Sequence, residues 1–120
     1  MYDMNNKEIG AFGEQKALQY LKSRKYDILT QNYRCRYGEI DLIAKYKNTL
    51  VFVEVKTRRS QKYGKGMEAV NFTKMQKIRK TALYYLKDKS IKFDILRFDV
   101  IDIFIDSTGS ITLEHIKNAF

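Results

Sequence analysis

Two short apolar runs in the middle of the chain set the pattern for the rest. Ile40–Ala44 and Leu50–Val55 are rich in Ile, Leu, Val and Phe, so each run predicts a β-strand. The polar break between them, at Lys47 and Asn48, is short enough for an antiparallel hairpin. A loop of two residues or of four gives the same register, so the pairing can be predicted residue by residue.

This register places two carboxylates opposite each other inside the apolar hairpin. Asp41 faces Glu54, and Glu39 faces Lys56; opposed residues have Cβ atoms ~4.5–5.5 Å apart. Burying either charge without compensation costs on the order of several kcal/mol, and a cation between them removes that penalty. Mg²⁺ takes oxygen ligands of this kind, and Lys56 lies on the same strand face as Glu54, within reach of a phosphate or a water. The alternative is a solvated hairpin face, which fits poorly because that face also carries large apolar side chains.

The remaining pattern predicts two helices and three further strands. A capping box at Asn5 begins a helix that runs to about Arg24. A second capping box, at Thr73, begins a helix that ends near Lys87. The other predicted strands are Tyr26–Tyr33, Leu96–Ile105 and Ile111–Ile116.

The order helix, three strands, helix, strand, with one added edge strand, indicates an α/β fold. A long helix between the third and fourth strands requires a crossover connection, so the sheet is predicted to be mixed. Both helices are expected to flank this mixed β-sheet. The length of 120 residues predicts a single domain over residues 1–120.

Composition excludes several classes of protein. No run of ~18 apolar residues is present, so no membrane contact is expected. The polar N-terminus lacks the apolar core of a signal peptide, which makes a cytoplasmic location the expectation. Cys35 and His115 are the only residues of their types, which excludes an intrachain disulfide, a cysteine zinc cluster and a multi-histidine metal site. We expect His115 to pack or to face solvent.

The net charge of +9 is concentrated in one stretch of the chain. Between Lys56 and Lys80 there are nine basic residues and a single acidic one, Glu68. Such a segment can be an ordinary solvated face, but next to a carboxylate hairpin it favours a nucleic-acid partner. The candidate nucleic-acid-binding residues are Arg34, Arg36, Arg58, Arg59, Lys62, Tyr63, Lys65, Lys74, Lys77 and Lys80.

Several motifs resemble a known family. Glu54-Val55-Lys56, with Asp41 thirteen positions upstream, resembles the PD-(D/E)XK nuclease signature, although Ile40 stands where that signature has proline. More of the chain is similar to the YraN-like family of small bacterial proteins. The stretches that carry this similarity are Gly13-Glu14-x-x-Ala17, Asn32-Tyr33-Arg34-Cys35-Arg36, Gly38-Glu39-Ile40-Asp41-Leu42-Ile43, Phe52-Val53-Glu54-Val55-Lys56-Thr57-Arg58, Arg97-Phe98-Asp99-Val100 and His115-Ile116-x-Asn118-Ala119-Phe120.

The resemblance implies a restriction-endonuclease-like αβββαβ core and assigns roles within it. Asp41 and Glu54 match the metal ligands, and the main-chain carbonyl of Val55 would complete the site. Glu14 matches an acidic residue that such nucleases often place on the first helix. Lys56 matches the catalytic lysine, and the implied cofactor is Mg²⁺ or Mn²⁺.

These observations lead to one expected function and two alternatives. We expect a metal-dependent endonuclease that hydrolyses phosphodiester bonds in nucleic acid, with DNA, including branched or junction DNA, as the leading substrate. Cutting both strands of a junction would favour a homodimer. The first alternative is a nucleic-acid-binding module with a vestigial nuclease site. The second is an adaptor whose basic face binds an acidic protein.

Overall fold

The helices and strands follow the order that the sequence pattern predicts. The computed structural model describes residues 4–59 and 71–120. Within these ranges the elements are α1 (Asn6–Ser23), β1 (Asp27–Cys35), β2 (Gly38–Tyr46), β3 (Thr49–Arg58), α2 (Phe72–Leu86), β4 (Ile95–Ile105) and β5 (Ile111–Ile116). The five strands form a sheet in the order β1-β2-β3-β4-β5. Neither helix of the described ranges is long and apolar enough to cross a membrane.

Strands β2 and β3 form the predicted antiparallel hairpin. The pairing runs from Leu42 with Val53 to Tyr46 with Thr49, which is the register expected from the sequence. The main-chain pairing ends at Leu42. Beyond it, the Asp41 carboxylate accepts a hydrogen bond from the Val55 main-chain N–H at 2.7 Å. The end of the ladder is therefore the place where a carboxylate enters the hairpin.

The sheet is mixed, as predicted. Strand β4 runs parallel to β3, in register from Thr49 with Ile95 to Arg58 with Phe104. The pairs β1–β2, β2–β3 and β4–β5 are antiparallel. Strand β3 consequently has a hydrogen-bonded neighbour on each side, and residues 49–54 of it are buried.

The two helices pack on opposite faces of the sheet, because residues that alternate along β2 and β3 divide between two apolar clusters. The α1 side holds Ala17, Leu18, Leu21, Leu42, Ala44, Val51, Val53, Ile101 and Ile103. The α2 side holds Ile40, Ile43, Leu50, Phe52, Ile78, Ala82 and Tyr85. The period of two along a strand thus assigns the side chains from Leu42 to Ala44 and from Leu50 to Val53 to one helix or the other. Ile40 precedes the β2–β3 ladder and does not follow this alternation, since it lies on the α2 side although Leu42 lies on the α1 side.

The first helix begins as predicted and the second does not. In α1, Asn5 accepts from the N–H of Glu8 at 2.8 Å and the Glu8 carboxylate accepts from the N–H of Asn5 at 2.9 Å, which is a complete capping box. In α2 the predicted capping box at Thr73 is wrong. The N-cap is Asn71, which has extended backbone geometry and accepts from the Lys74 N–H at 2.9 Å, so the helix starts earlier.

Helix α1 approaches the sheet most closely at Gly13. A Cβ built on this residue would lie 1.7 Å from Thr57 Oγ1 and 2.8 Å from Thr57 Cβ, distances that no real side chain tolerates. Gly10, one turn earlier in the same helix, has nothing within 4 Å of an added Cβ. Position 13 therefore requires glycine so that α1 can rest on β3, whereas position 10 does not.

We predict opposite effects for the same substitution at these two positions. Gly10→Ala should raise the free energy of unfolding by about 0.5–1 kcal/mol, because alanine is the better helix former. Gly13→Ala should lower it by about 1–3 kcal/mol through overpacking. Urea denaturation measures both. Thr57→Ala should recover part of the loss in the double variant, and equal effects at both glycines would contradict the close approach of α1 to β3.

Candidate active site

Asp41 and Glu54 lie together at the end of the hairpin ladder. Glu54 is buried within β3, with 7% of the residue exposed, and Asp41 is partly buried. Burial, followed by the charge of the hydrogen-bonded Glu54 carboxylate, raises the pKa of Asp41 to about 8; the hydrogen bond from the Val55 N–H opposes this rise. Near neutral pH the Asp41 carboxyl is therefore mostly protonated.

Two lysines neutralise Glu54. The Lys56 Nζ lies 3.4 Å from Glu54 Oε2, and the Lys74 Nζ, from α2, lies 2.5 Å from the same oxygen. Burial and the neighbouring Lys74 ammonium lower the pKa of Lys56. Burial is the largest single influence on Lys74 and disfavours its charged form, but the hydrogen bonds to Glu54 and Lys56 and the negative charge of the carboxylates together outweigh burial and raise the pKa of Lys74. Lys74, which the sequence analysis predicts to bind nucleic acid, contacts Glu54 of the carboxylate pair in the fold.

Glu14 lies at the edge of this cluster. Burial raises the pKa of Glu14, repulsion from Glu39 and Glu54 adds to the rise, and a side-chain hydrogen bond with Asn32 opposes it. Glu14 also contributes to the raised pKa of Asp41, so α1 brings it into electrostatic range of the pair. Among residues 4–59 and 71–120, no three His, Cys, Asp or Glu side chains are gathered closely enough to hold a metal ion by themselves.

The donor set at the pair fits a hard divalent cation. Mg²⁺ needs one or two protein carboxylates and completes its shell with waters or phosphate oxygens, so Asp41 and Glu54 suffice. The pKa of Asp41 is raised first by burial and then by the charge of Glu54, and a cation bound between the two carboxylates would oppose both causes. Binding would require Asp41 to lose its proton and would place the cation in competition with Lys56 and Lys74 for Glu54.

Two of the arginines predicted to bind nucleic acid, Arg34 and Arg58, have acidic partners in the fold. Arg34 pairs with Glu39 at 2.8 Å on the surface, so Glu39 faces β1 and does not pair with Lys56 within the ladder. Arg58 pairs with the buried Asp102 of β4 at 3.2 Å. Its Nε and Nη1 atoms are buried and have no hydrogen-bond partner within the described ranges. Arg58 is thus part of the β3–β4 packing, where Asp102 holds its guanidinium.

The other predicted nucleic-acid-binding residues divide into two groups. Arg36, Arg59, Lys77 and Lys80 are exposed. Lys62, Tyr63 and Lys65 lie outside the described residues.

A surface groove on the α2 side escaped the sequence prediction. It has a volume of about 570 Å³ and lies between the β1–β2 turn and the C-terminal half of α2. We call it the aromatic groove; its lining residues are Arg36, Tyr37, Lys80, Leu83, Tyr84 and Lys87. The available signal was the recurrence of Lys77, Lys80, Tyr84 and Lys87 at three- and four-residue spacing, which places them along one side of the helix.

A second polar cluster, centred on Asp99, serves the fold. The fully buried Asp99 carboxylate lies 2.7 Å from His115 Nε2 and accepts hydrogen bonds from Arg97 at 2.9 Å and from the Asn118 N–H at 3.0 Å. Burial raises the pKa of Asp99, but these hydrogen bonds outweigh it and lower that pKa overall. His115 also contacts the Tyr20 hydroxyl at 3.1 Å, so it packs between α1 and the sheet.

Comparison with known proteins assigns the chain to a family. The fold and site together define a mixed α/β protein with a paired-carboxylate and lysine centre. The family described as "Uncharacterised protein family UPF0102" matches residues 13–103, and the chain belongs to this family. The expected YraN-like membership is thereby confirmed.

Relatives of this family match along nearly their whole length. A UPF0102 protein of Caldicellulosiruptor saccharolyticus is 44% identical over 118 residues, covering 98% of this chain and 100% of the relative. One from Clostridium botulinum strain 657 is 51% identical, covering 96% of this chain and 95% of the relative. One from Caldanaerobacter subterraneus is 48% identical over the full length of both chains.

We predict that Asp41 makes stability depend on pH. Its pKa in the folded state is about 8, against an ordinary value of 3.8. Its stabilising contribution is therefore fully present below pH 3.8 and is lost as pH rises through about 8. Asp41→Asn keeps an acceptor for the Val55 N–H and carries no charge, so it should be more stable than the native protein at pH 8, by up to a few kcal/mol, since one pKa unit is about 1.4 kcal/mol.

Urea unfolding of the native protein and Asp41→Asn between pH 3.8 and about 8 tests this pH dependence. Asp27→Asn, at an exposed position, is the matched control. An Asp41→Asn variant that is less stable than the native protein at every pH would show that the ionised carboxylate is a stabilising structural charge.

Proposed function

We propose that this protein is a metal-dependent phosphodiesterase that cleaves nucleic acid, with DNA as the leading substrate, on a restriction-endonuclease-like PD-(D/E)XK core. The observation that carries the proposal is that Asp41 and Glu54 lie together at the end of the hairpin ladder and that Lys56 contacts the Glu54 carboxylate. The order of α1, three antiparallel strands, α2 and the parallel β4 supports the same assignment.

Asp41 and Glu54 are the residues that would hold Mg²⁺ or Mn²⁺, with Glu14 and the Val55 carbonyl as further oxygen donors. The cation, when bound, supplies a Lewis acid that polarises phosphoryl oxygens and acidifies water. Lys56, whose pKa is lowered by burial and by Lys74, can hold a proton near the attacking water or stabilise negative charge on the phosphate.

Lys74 has a different part in the proposal. Its ammonium neutralises Glu54. If Glu54 held a cation, Lys74 would be available to contact a phosphate of the substrate at the pair. The exposed Lys77 and Lys80 continue from Lys74 along α2 and would hold neighbouring phosphates.

A second candidate function is supported by the same two lysines. Lys56 and Lys74 already balance the charge of Glu54. A protein that binds nucleic acid without cleaving it needs no metal ion at the pair, because these lysines already balance the buried charge. Its carboxylate pair would then be the remnant of a nuclease site. Metal-dependent cleavage distinguishes the two functions.

We predict that Mg²⁺ or Mn²⁺ stabilises the native protein and supports cleavage. A cation that binds only the folded state raises the melting temperature by mass action. The rise should grow as pH approaches about 8, because Asp41 must lose its proton to become a ligand. Cleavage should be assayed with labelled single-stranded, duplex, flap and junction DNA in Mg²⁺, Mn²⁺ or EDTA.

The variants separate the roles within the site. Asp41→Asn and Glu54→Gln should lose both the thermal response to metal and the cleavage. Lys56→Ala should keep the thermal response and lose cleavage, because an ammonium is not a metal ligand. If native protein neither responds to metal nor cleaves any of these substrates, the non-catalytic binding function is the correct one.

We also predict that DNA binding is salt-sensitive through α2. The Lys77→Ala/Lys80→Ala variant should bind all duplex sequences more weakly and flatten the log–log salt dependence by about 0.9 for each phosphate that is no longer neutralised. Fluorescence anisotropy at a series of NaCl concentrations measures the slope. The matched control replaces the exposed Lys22 and Lys117 by alanine. Equal flattening in both variants would mean that net charge, and not this helix, determines binding.

A further inference from the structure

The aromatic groove concentrates exposed apolar surface at one place. Tyr37, Leu83 and Tyr84 are 37%, 68% and 41% exposed, and they are three of the seven large hydrophobic side chains exposed in residues 4–59 and 71–120. The two tyrosine rings meet edge to face, with centroids 5.8 Å apart. A groove of about 570 Å³ beside two exposed aromatic rings has room for a planar group.

The charge of this groove is of one sign. Every charged side chain that lines it is basic: Arg36, Lys80 and Lys87. The Arg36 guanidinium lies 5.0 Å from the Tyr37 ring centroid, and the Lys87 ammonium lies 5.9 Å from that of Tyr84. Cations held next to aromatic faces are suited to a ligand that carries both negative charge and flat rings.

Helix α2 connects the candidate active site to the aromatic groove. Lys74 contacts Glu54 near the start of α2, and Tyr84 lies ten residues later, about 15 Å along the helix axis. Between them α2 packs against the start of β2, where a Cβ added to Gly38 would lie 3.3 Å from Thr81 Oγ1. A chain of phosphates that follows Lys77 and Lys80 would therefore lead from the carboxylate pair to the groove.

We propose that the aromatic groove binds an unpaired base of single-stranded nucleic acid, with Tyr37 and Tyr84 as stacking surfaces and Arg36, Lys80 and Lys87 on the adjoining phosphates. This inference rests on the proposed function and specifies its substrate class: a strand that is single-stranded next to the cleavage site. Bases in a duplex are stacked on one another and cannot offer a face to the tyrosines. An acidic peptide would satisfy the lysines but would leave the rings without a planar partner.

The test measures binding in EDTA, so that it does not depend on cleavage. Fluorescence anisotropy compares a labelled oligothymidylate, a duplex of equal length and a glutamate-rich peptide at one salt concentration. Tyr84→Ala should weaken oligothymidylate binding about 5- to 150-fold, the range expected for loss of one base–aromatic stack. Tyr84→Phe, which keeps the ring, should bind like the native protein.

Matched controls make the result specific to the groove. Leu29→Ala removes another exposed apolar side chain, on β1, and should leave binding unchanged. Duplex binding should change less than twofold in Tyr84→Ala. Alanine is a strong helix former, so this variant should fold, and its thermal melting curve verifies that.

Three results of the binding measurement would overturn the proposal. The first is equal weakening of single-stranded and duplex DNA binding in Tyr84→Ala, and the second is no weakening at all. The third is binding of the glutamate-rich peptide with the same dependence on Tyr84, which would make the groove a protein-docking surface. Cleavage that persists unchanged in Tyr84→Ala would refute the groove and leave the nuclease function standing. Tyr84-dependent binding without any cleavage would refute the nuclease and leave the groove standing.

Discussion

The constraint that organises this molecule is a carboxylate buried in its central strand. Glu54 lies in β3, which has strands on both sides and helices on both faces. Such a charge is tolerated only when it is paired, and Lys56 and Lys74 pair with it. The protonated Asp41 completes the balance. The buried charge of Glu54 is therefore balanced by side chains of the chain itself.

Helix α2 connects this centre to the rest of the surface. Its first turn supplies Lys74, its buried side packs on the sheet through Ile78, Ala82 and Tyr85, and its exposed side carries further lysines and Tyr84. One helix therefore positions both the Lys74 ammonium on Glu54 and part of the lining of the aromatic groove. Because the helix is rigid and packed, the distance between these two places is determined by the fold and not by side-chain mobility.

Charge along the chain does not show which basic residues have acidic partners within the fold. Arg34, Arg58 and Lys74 were all predicted to contact nucleic acid, but each has an acidic partner in the folded protein. Those partners come from other elements, or from the far side of a turn, and spacing alone does not identify them. The stretch from Lys56 to Lys80 is basic in composition, yet part of its charge is used within the fold.

The sequence by itself determined the elements, the hairpin register and the mixed sheet, because these follow from periodicity and from a short loop between neighbouring strands. It therefore also predicted that Asp41 and Glu54 meet. Only the tertiary structure decided that Lys74 lies on Glu54, that Arg58 is held by Asp102 and that Tyr37 approaches Tyr84. These contacts depend on how α2 and β4 pack across the sheet, and that geometry has no local period from which a sequence can reveal it.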